Sequence, residues 1–190
     1  MLLSNIYYCL VFSYLNYGVE AWGSACHSDL SKIRVLQNKA VRIISGRQYF
    51  QIFGETPGPL PSADPLYKEL KFLDFNDIYN FSIAKFIYLT LCEKSPSLFH
   101  NWFKYTHEVH SHATRSSVTI SRDMFDPGTV SSTYTLFTKQ SNLHNYGRKM
   151  IQVSGPLVWN KLPFDIQDSV SIATFKLYLK DYYVDQYADS

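Results

Sequence analysis

The chain has 190 residues, enough for one domain of ordinary size or a subdomain attached to something larger. Apolar residues make up 46%, with fifteen Tyr and thirteen Phe, which supplies a core and excludes disorder for most of the chain. A net charge of +2 selects no partner, and three Cys at irregular spacing exclude a disulfide framework and read as reduced, intracellular thiols.

Residues 2–17 carry no charge and read as a helix apolar on most sides, with Ile6, Tyr7, Leu10, Val11, Tyr14 and Leu15 around its circumference. Ser4, Asn5, Ser13, Asn16 and Gly18 interrupt the stretch, and no basic residue precedes it, so neither a membrane span nor a signal peptide is expected. Such a helix is more simply one buried in a larger protein. Gly18 marks its stop, and residues 17–23 are expected to form a turn carrying Trp22.

A second helix is predicted from about Asp29 to Ser45, capped by Ser28 or Asp29. Ile33, Leu36, Ala40, Ile43 and Ile44 fall on one apolar face. Lys32, Lys39 and Arg42 project from a flank about a quarter-turn wide, and Arg47 follows the end. Such a flank is either a solvated surface or a strip that faces phosphates. Residues 48–63 hold Gly54, Pro57, Gly58, Pro59 and Pro61 and read as a linker.

Helices are predicted at 65–71 and at about 76–93, with an amphipathic turn or two near Leu98–Phe103. Alternation over 116–121 predicts a strand, 126–145 reads as loop, and Lys149–Val153 as a second short strand opening into Gly155-Pro156. A final helix is capped by Ser171 and carries Ile172, Phe175, Leu179 and Tyr182. The fold class is mostly α: a helical N-terminal part over 1–47, then a small α+β C-terminal domain over 64–186.

Chemistry is sparse. His107, His110 and His112 lie close in sequence, yet no Cys is near and Glu108 is the one adjacent carboxylate, so no metal site is expected. There is no nucleophile elbow and no phosphate-cradling glycine loop. Catalytic residues, a cofactor and a small-molecule substrate are therefore not expected.

Five ordered stretches resemble the region downstream of the polymerase palm in jockey-like, LINE-type (non-LTR) retrotransposon reverse transcriptases. They are Ile6–Gly23, with its Ser13-Tyr14-Leu15-Asn16-Tyr17-Gly18 and Trp22-Gly23; Leu36–Ile44; Pro65–Tyr79; His110–Arg115; and Gly155–Pro163, with Trp159-Asn160. Ala113 stands where the family pattern has Asn. The first two stretches resemble the helical thumb end, and the rest the family's C-terminal region. The resemblance implies that the palm with its catalytic aspartates lies upstream, that this chain is inactive alone, and that the missing domains are partners. It also implies sequence-independent contact with an RNA or DNA backbone through Lys32, Lys39, Arg42 and Arg47, with Arg115, Arg148 and Lys149 as a second set. A nuclear or cytoplasmic location follows from the same resemblance. The alternative is a helical protein-interaction domain that pairs through residues 1–17. The closing Tyr187-Ala188-Asp189-Ser190 is superficially similar to a Tyr-x-Asp-Asp turn, but Ser190 replaces the second carboxylate and the match reads as chance.

Overall fold

The computed structural model describes residues 2–45, 62–109, 135–139 and 149–187. They fall into two compact units, residues 1–82 with 177–190, and residues 83–176.

In the first unit, the apolar N-terminal run is helical as α1 (Leu2–Ile6), a wider π-helical stretch (Tyr7–Phe12) and α2 (Ser13–Asn16). The wide turns shift the helical phase, so that Tyr7 is buried while Leu10, Tyr14 and Tyr17 stand exposed. The helix is thus buried on one side only: Tyr7 enters the core, and Val11 and Phe12 pack partly buried against the same cluster. Gly18 ends it in the left-handed region (φ 60), which a residue with a Cβ reaches only at a cost. The expected turn after it is instead a short helix, α3 (Val19–Trp22). Its Trp22 donates from Nε1 to the Tyr17 carbonyl (2.8 Å) and stacks on Phe75.

The next helix, α4, spans His27–Ile44, with extended Cys26 rather than Ser28 or Asp29 at its cap. Its buried positions are Gln37 and Val41. Leu36 and Ile43, expected in the core, are 65% and 73% exposed. The tertiary partners therefore chose the face about a quarter-turn away from the one that hydrophobicity marks. Pro65 opens α5 (Asp64–Leu70), where its fixed φ suits the first turn, and Lys71 closes it in a left-handed conformation. The Asp74 carboxylate caps α6 (Phe75–Leu91) by accepting from the Asp77 N–H at 2.9 Å. The last segment of this unit comes from α10 (Ile172–Asp185), which brings Leu179, Tyr183 and Val184 to buried positions.

The second unit contains the remainder of α6, a 3-10 turn (Ser97–Phe99), α7 (Thr106–Val109), α8 (Ile151–Trp159), α9 (Phe164–Gln167) and the start of α10. Trp159 and Tyr88 both stack against Phe175 (6.0 and 4.4 Å between centroids). Thr174 N–H donates to Ser171 Oγ at 3.1 Å, so Ser171 caps α10 as expected. The strand predicted at Lys149–Val153 is wrong, since Ile151–Trp159 is helical straight through Gly155-Pro156. Proline removes one helical donor there, but glycine before it relieves the clash that a Cβ makes with the proline ring. A Cβ on Gly155 would also stand 3.1 Å from Ile87 and 3.3 Å from Phe103, so this side packs closely. Packing outweighs local preference. Among the described residues there is no strand, only an isolated antiparallel bridge between Tyr105 and Leu136. The α+β C-terminal domain is accordingly not supported, and the expected strand at 116–121 lies outside the described residues.

Candidate functional site

The predicted basic strip divides in the structure. On α4, Lys32 and Lys39 are exposed beside Leu36 and Ile43, and Lys32 pairs with Asp29 at 3.2 Å. Both members of that pair are mostly in water, which makes it worth no more than about 1 kcal/mol and easily exchanged. Arg42 is half-buried, and its charge reaches Tyr67. Lys149 is exposed just before α8, while Arg47, Arg115 and Arg148 lie outside the described residues. Trp22 and Trp159 are engaged in ring packing within their own units, which takes these rings away from stacking on bases.

The inward side of α4 carries what sequence reasoning missed. Arg34 meets the Asp74 carboxylate at 3.2 Å. Gln37, fully buried, donates from Nε2 to both the Tyr7 hydroxyl and the Leu73 carbonyl (each 2.9 Å), while its Oε1 is buried without a hydrogen-bond partner. Tyr187 reaches in from beyond α10: its hydroxyl donates to Asp77 Oδ2 (2.6 Å) and accepts the Asp74 N–H (2.8 Å). One cluster therefore ties α4, the start of α6 and the segment after α10 together. Asp74 three residues ahead of Asp77, before an apolar run, was a legible capping signal. Nothing local announces Tyr187.

Burial pushes the Asp77 carboxyl up to about 6, against the Tyr187 hydrogen bond; the Asp74 charge raises it further and Arg34 opposes the rise. Burial likewise pushes Tyr7 up to about 12, and Tyr67, Tyr183 and Tyr187 well above the ordinary phenol. These phenols stay neutral at any physiological pH. The two carboxylates face protein donors, so the arrangement is structural; among the described residues no three His, Cys, Asp or Glu gather as a metal site.

Since the folded carboxyl of Asp77 is the weaker acid, the folded state holds the proton longer than the unfolded chain. Its stabilising contribution is full below about pH 4 and is lost as pH rises through about 6. Discounted for partial exposure, the loss is on the order of 1–2 kcal/mol. The groups facing it are Asp74, Arg34, Tyr183 and Tyr187. Asp77→Asn should remove this loss. Urea titrations at pH 4.0 and 7.5 should show a difference between the two pH values that is smaller by that amount in the variant. An unchanged difference would place the titration elsewhere.

No helix among the described residues is long and apolar enough to cross a membrane. Comparison with protein-family models, with curated proteins and with solved structures finds no match to the chain.

Proposed function

We propose that the chain is the thumb-end and C-terminal portion of a LINE-type, jockey-like reverse transcriptase, without catalysis of its own, which holds a nucleic-acid backbone weakly through α4. The order of the five sequence stretches supports the family reading. The observation that carries the binding role is the outward placement of Lys32 and Lys39 on one face of an 18-residue helix. Two such ammonium groups engage phosphates without reading bases. Under this reading the upstream polymerase domains are the partners, no small molecule or cofactor is needed, and the protein works in the nucleus or cytoplasm.

Each phosphate contact adds about 0.9 to the slope of log affinity against log salt for a duplex. Lys32→Gln with Lys39→Gln is therefore expected to flatten that slope by about two units and to weaken binding equally for unrelated sequences. Wild-type affinity near physiological salt should lie in the non-specific range, roughly 10⁻⁴–10⁻⁶ M. Fluorescence anisotropy across a salt series measures both. Identical slopes for wild type and variant would remove α4 from the nucleic-acid reading.

A second reading, a helical protein-interaction domain, is favoured by the exposed Leu3, Ile6, Leu10 and Tyr14 of the N-terminal helix. Exposed apolar clusters of this kind mark contact surfaces. Under the first reading the same surface meets the upstream polymerase domains. Salt-insensitive binding to a protein partner, with no affinity for nucleic acid, would favour the second.

A further inference from the structure

Residues 135–137 are held in the second unit in an unusual way. Tyr105 and Leu136 form an isolated antiparallel bridge, flanked by Thr106 N–H to the Thr135 carbonyl (2.9 Å) and Phe137 N–H to the Lys104 carbonyl (2.8 Å). The Thr106 hydroxyl adds a second bond to the Thr135 carbonyl at 2.9 Å. In such a non-hydrogen-bonded pair, the N–H and C=O of Leu136 point away from Tyr105, towards where a third strand would lie. Asn160 stands there instead. Its Oδ1 accepts the Leu136 N–H and its Nδ2 donates to the Leu136 carbonyl, both at 2.9 Å. One carboxamide thus reproduces both bonds of a neighbouring strand.

The walls of this place come from the end of α8 and the segment that leads into α7. Asn160 ends α8, with its own N–H on the Pro156 carbonyl, next to buried Trp159; Lys104 follows buried Phe103. Leu136 is the anchor, 1% exposed, while its neighbours Thr135 and Phe137 are only half-buried. Backbone pairing on both edges with one apolar anchor is how folded domains recognise extended peptides by strand addition.

We propose that Lys104, Thr106 and Asn160 form a strand-capture site for an extended peptide with a leucine anchor, occupied by the chain's own Thr135-Leu136-Phe137 and open to exchange with a free peptide of that sequence. Recognition rests on backbone groups that any residue supplies, plus the burial of the Leu136 side chain. The covalently attached occupant competes with any free peptide for the same backbone groups. A free peptide therefore enters readily only when the resident segment is evicted.

The test uses the full chain and a fluorescein-labelled pentapeptide, Thr-Leu-Phe-Thr-Lys, matching residues 135–139. Leu136→Asp puts a charge at a position that is 1% exposed and is expected to evict the resident segment. That variant should keep a cooperative melt and bind the peptide at least tenfold more tightly than wild type. Adding Asn160→Ala should weaken the binding at least tenfold, and a peptide with Asp for Leu should not bind. On the otherwise unaltered chain, Asn160→Ala should speed hydrogen exchange at the Leu136 and Phe137 amides at least tenfold while α8 stays protected. No saturable binding up to millimolar peptide would overturn the proposal. So would loss of the cooperative melt in Leu136→Asp, or equal loss of protection in α8, since a groove that cannot stand empty is part of the core.

Discussion

Replacing Tyr7 with alanine is expected to destabilise the first unit by about 3–5 kcal/mol, the range for deleting a large buried ring. The ring is 1% exposed, lies flat on Phe72 (4.2 Å between centroids, 6° between planes), and belongs to a cluster with Val41, Leu66 and Tyr67. Its hydroxyl accepts one of the two bonds from Gln37 Nε2, so the truncation also strips a buried carboxamide whose Oε1 is already without a partner. Trp22, stacked on Phe75 in the same unit, gives a local fluorescence signal for urea unfolding. Leu10→Ser, on the exposed side of the same helix, should change stability by no more than about 0.5 kcal/mol. If Tyr7→Ala proves as mild as Leu10→Ser, the N-terminal helix is not part of this unit's core.

That contrast bears on function. A helix wholly foreign to its domain is removable, whereas this one contributes a ring to the core and leaves Leu3, Ile6, Leu10 and Tyr14 outside. Deleting residues 1–18 would therefore remove an outward apolar surface and an inward structural ring at once. Point substitutions on the exposed side separate the two effects. Leu10→Ser is the clean probe of any surface contact.

Where helical character was written in the residues themselves, the sequence was a good guide. The runs around 29–45, 65–71, 76–93 and 172–182 carry apolar periodicity with Pro65 at one start and Ser171 at another, and each is a helix. The predicted boundaries of the first three are off by a residue or two, as helix ends allow. What failed was choice of face. On α4, Leu36 and Ile43 look like core, yet Gln37 is buried because Tyr7 and the Leu73 carbonyl, distant in sequence, receive its donors. Lys149–Val153 has a strand's β-branched look, but close packing at Gly155 holds a helix there. The candidate site was half legible. Lys32 and Lys39 could be read as an outward pair from spacing alone. Arg34 carried no signal in the sequence, because its carboxylate partner Asp74 is distant along the chain and becomes a partner only in the fold.

Arg34→Met is expected to cost about 2–3 kcal/mol. Its partner Asp74 has a side chain only 7% exposed, whereas the Arg34 side chain is 47% exposed. The two ends of the pair are therefore unequal. Without the guanidinium, the Asp74 carboxylate keeps the Asp77 N–H but loses its countercharge at a nearly buried position. Removing one partner of a fully buried pair costs roughly 3–5 kcal/mol, and the water around Arg34 places this case below that range. Asp74→Asn is the milder change, about 1 kcal/mol, because the amide oxygen still caps α6 and the freed arginine turns to solvent. In the double variant, Arg34→Met no longer strands a charge, so the two costs should fall short of additive by at least 1 kcal/mol. Chemical denaturation of wild type, both single variants and the double variant measures that coupling. Additive costs, or an Arg34→Met penalty no greater than that of Asp74→Asn, would mean the ion pair is a surface contact and that capping and tyrosine hydrogen bonds alone hold the cluster.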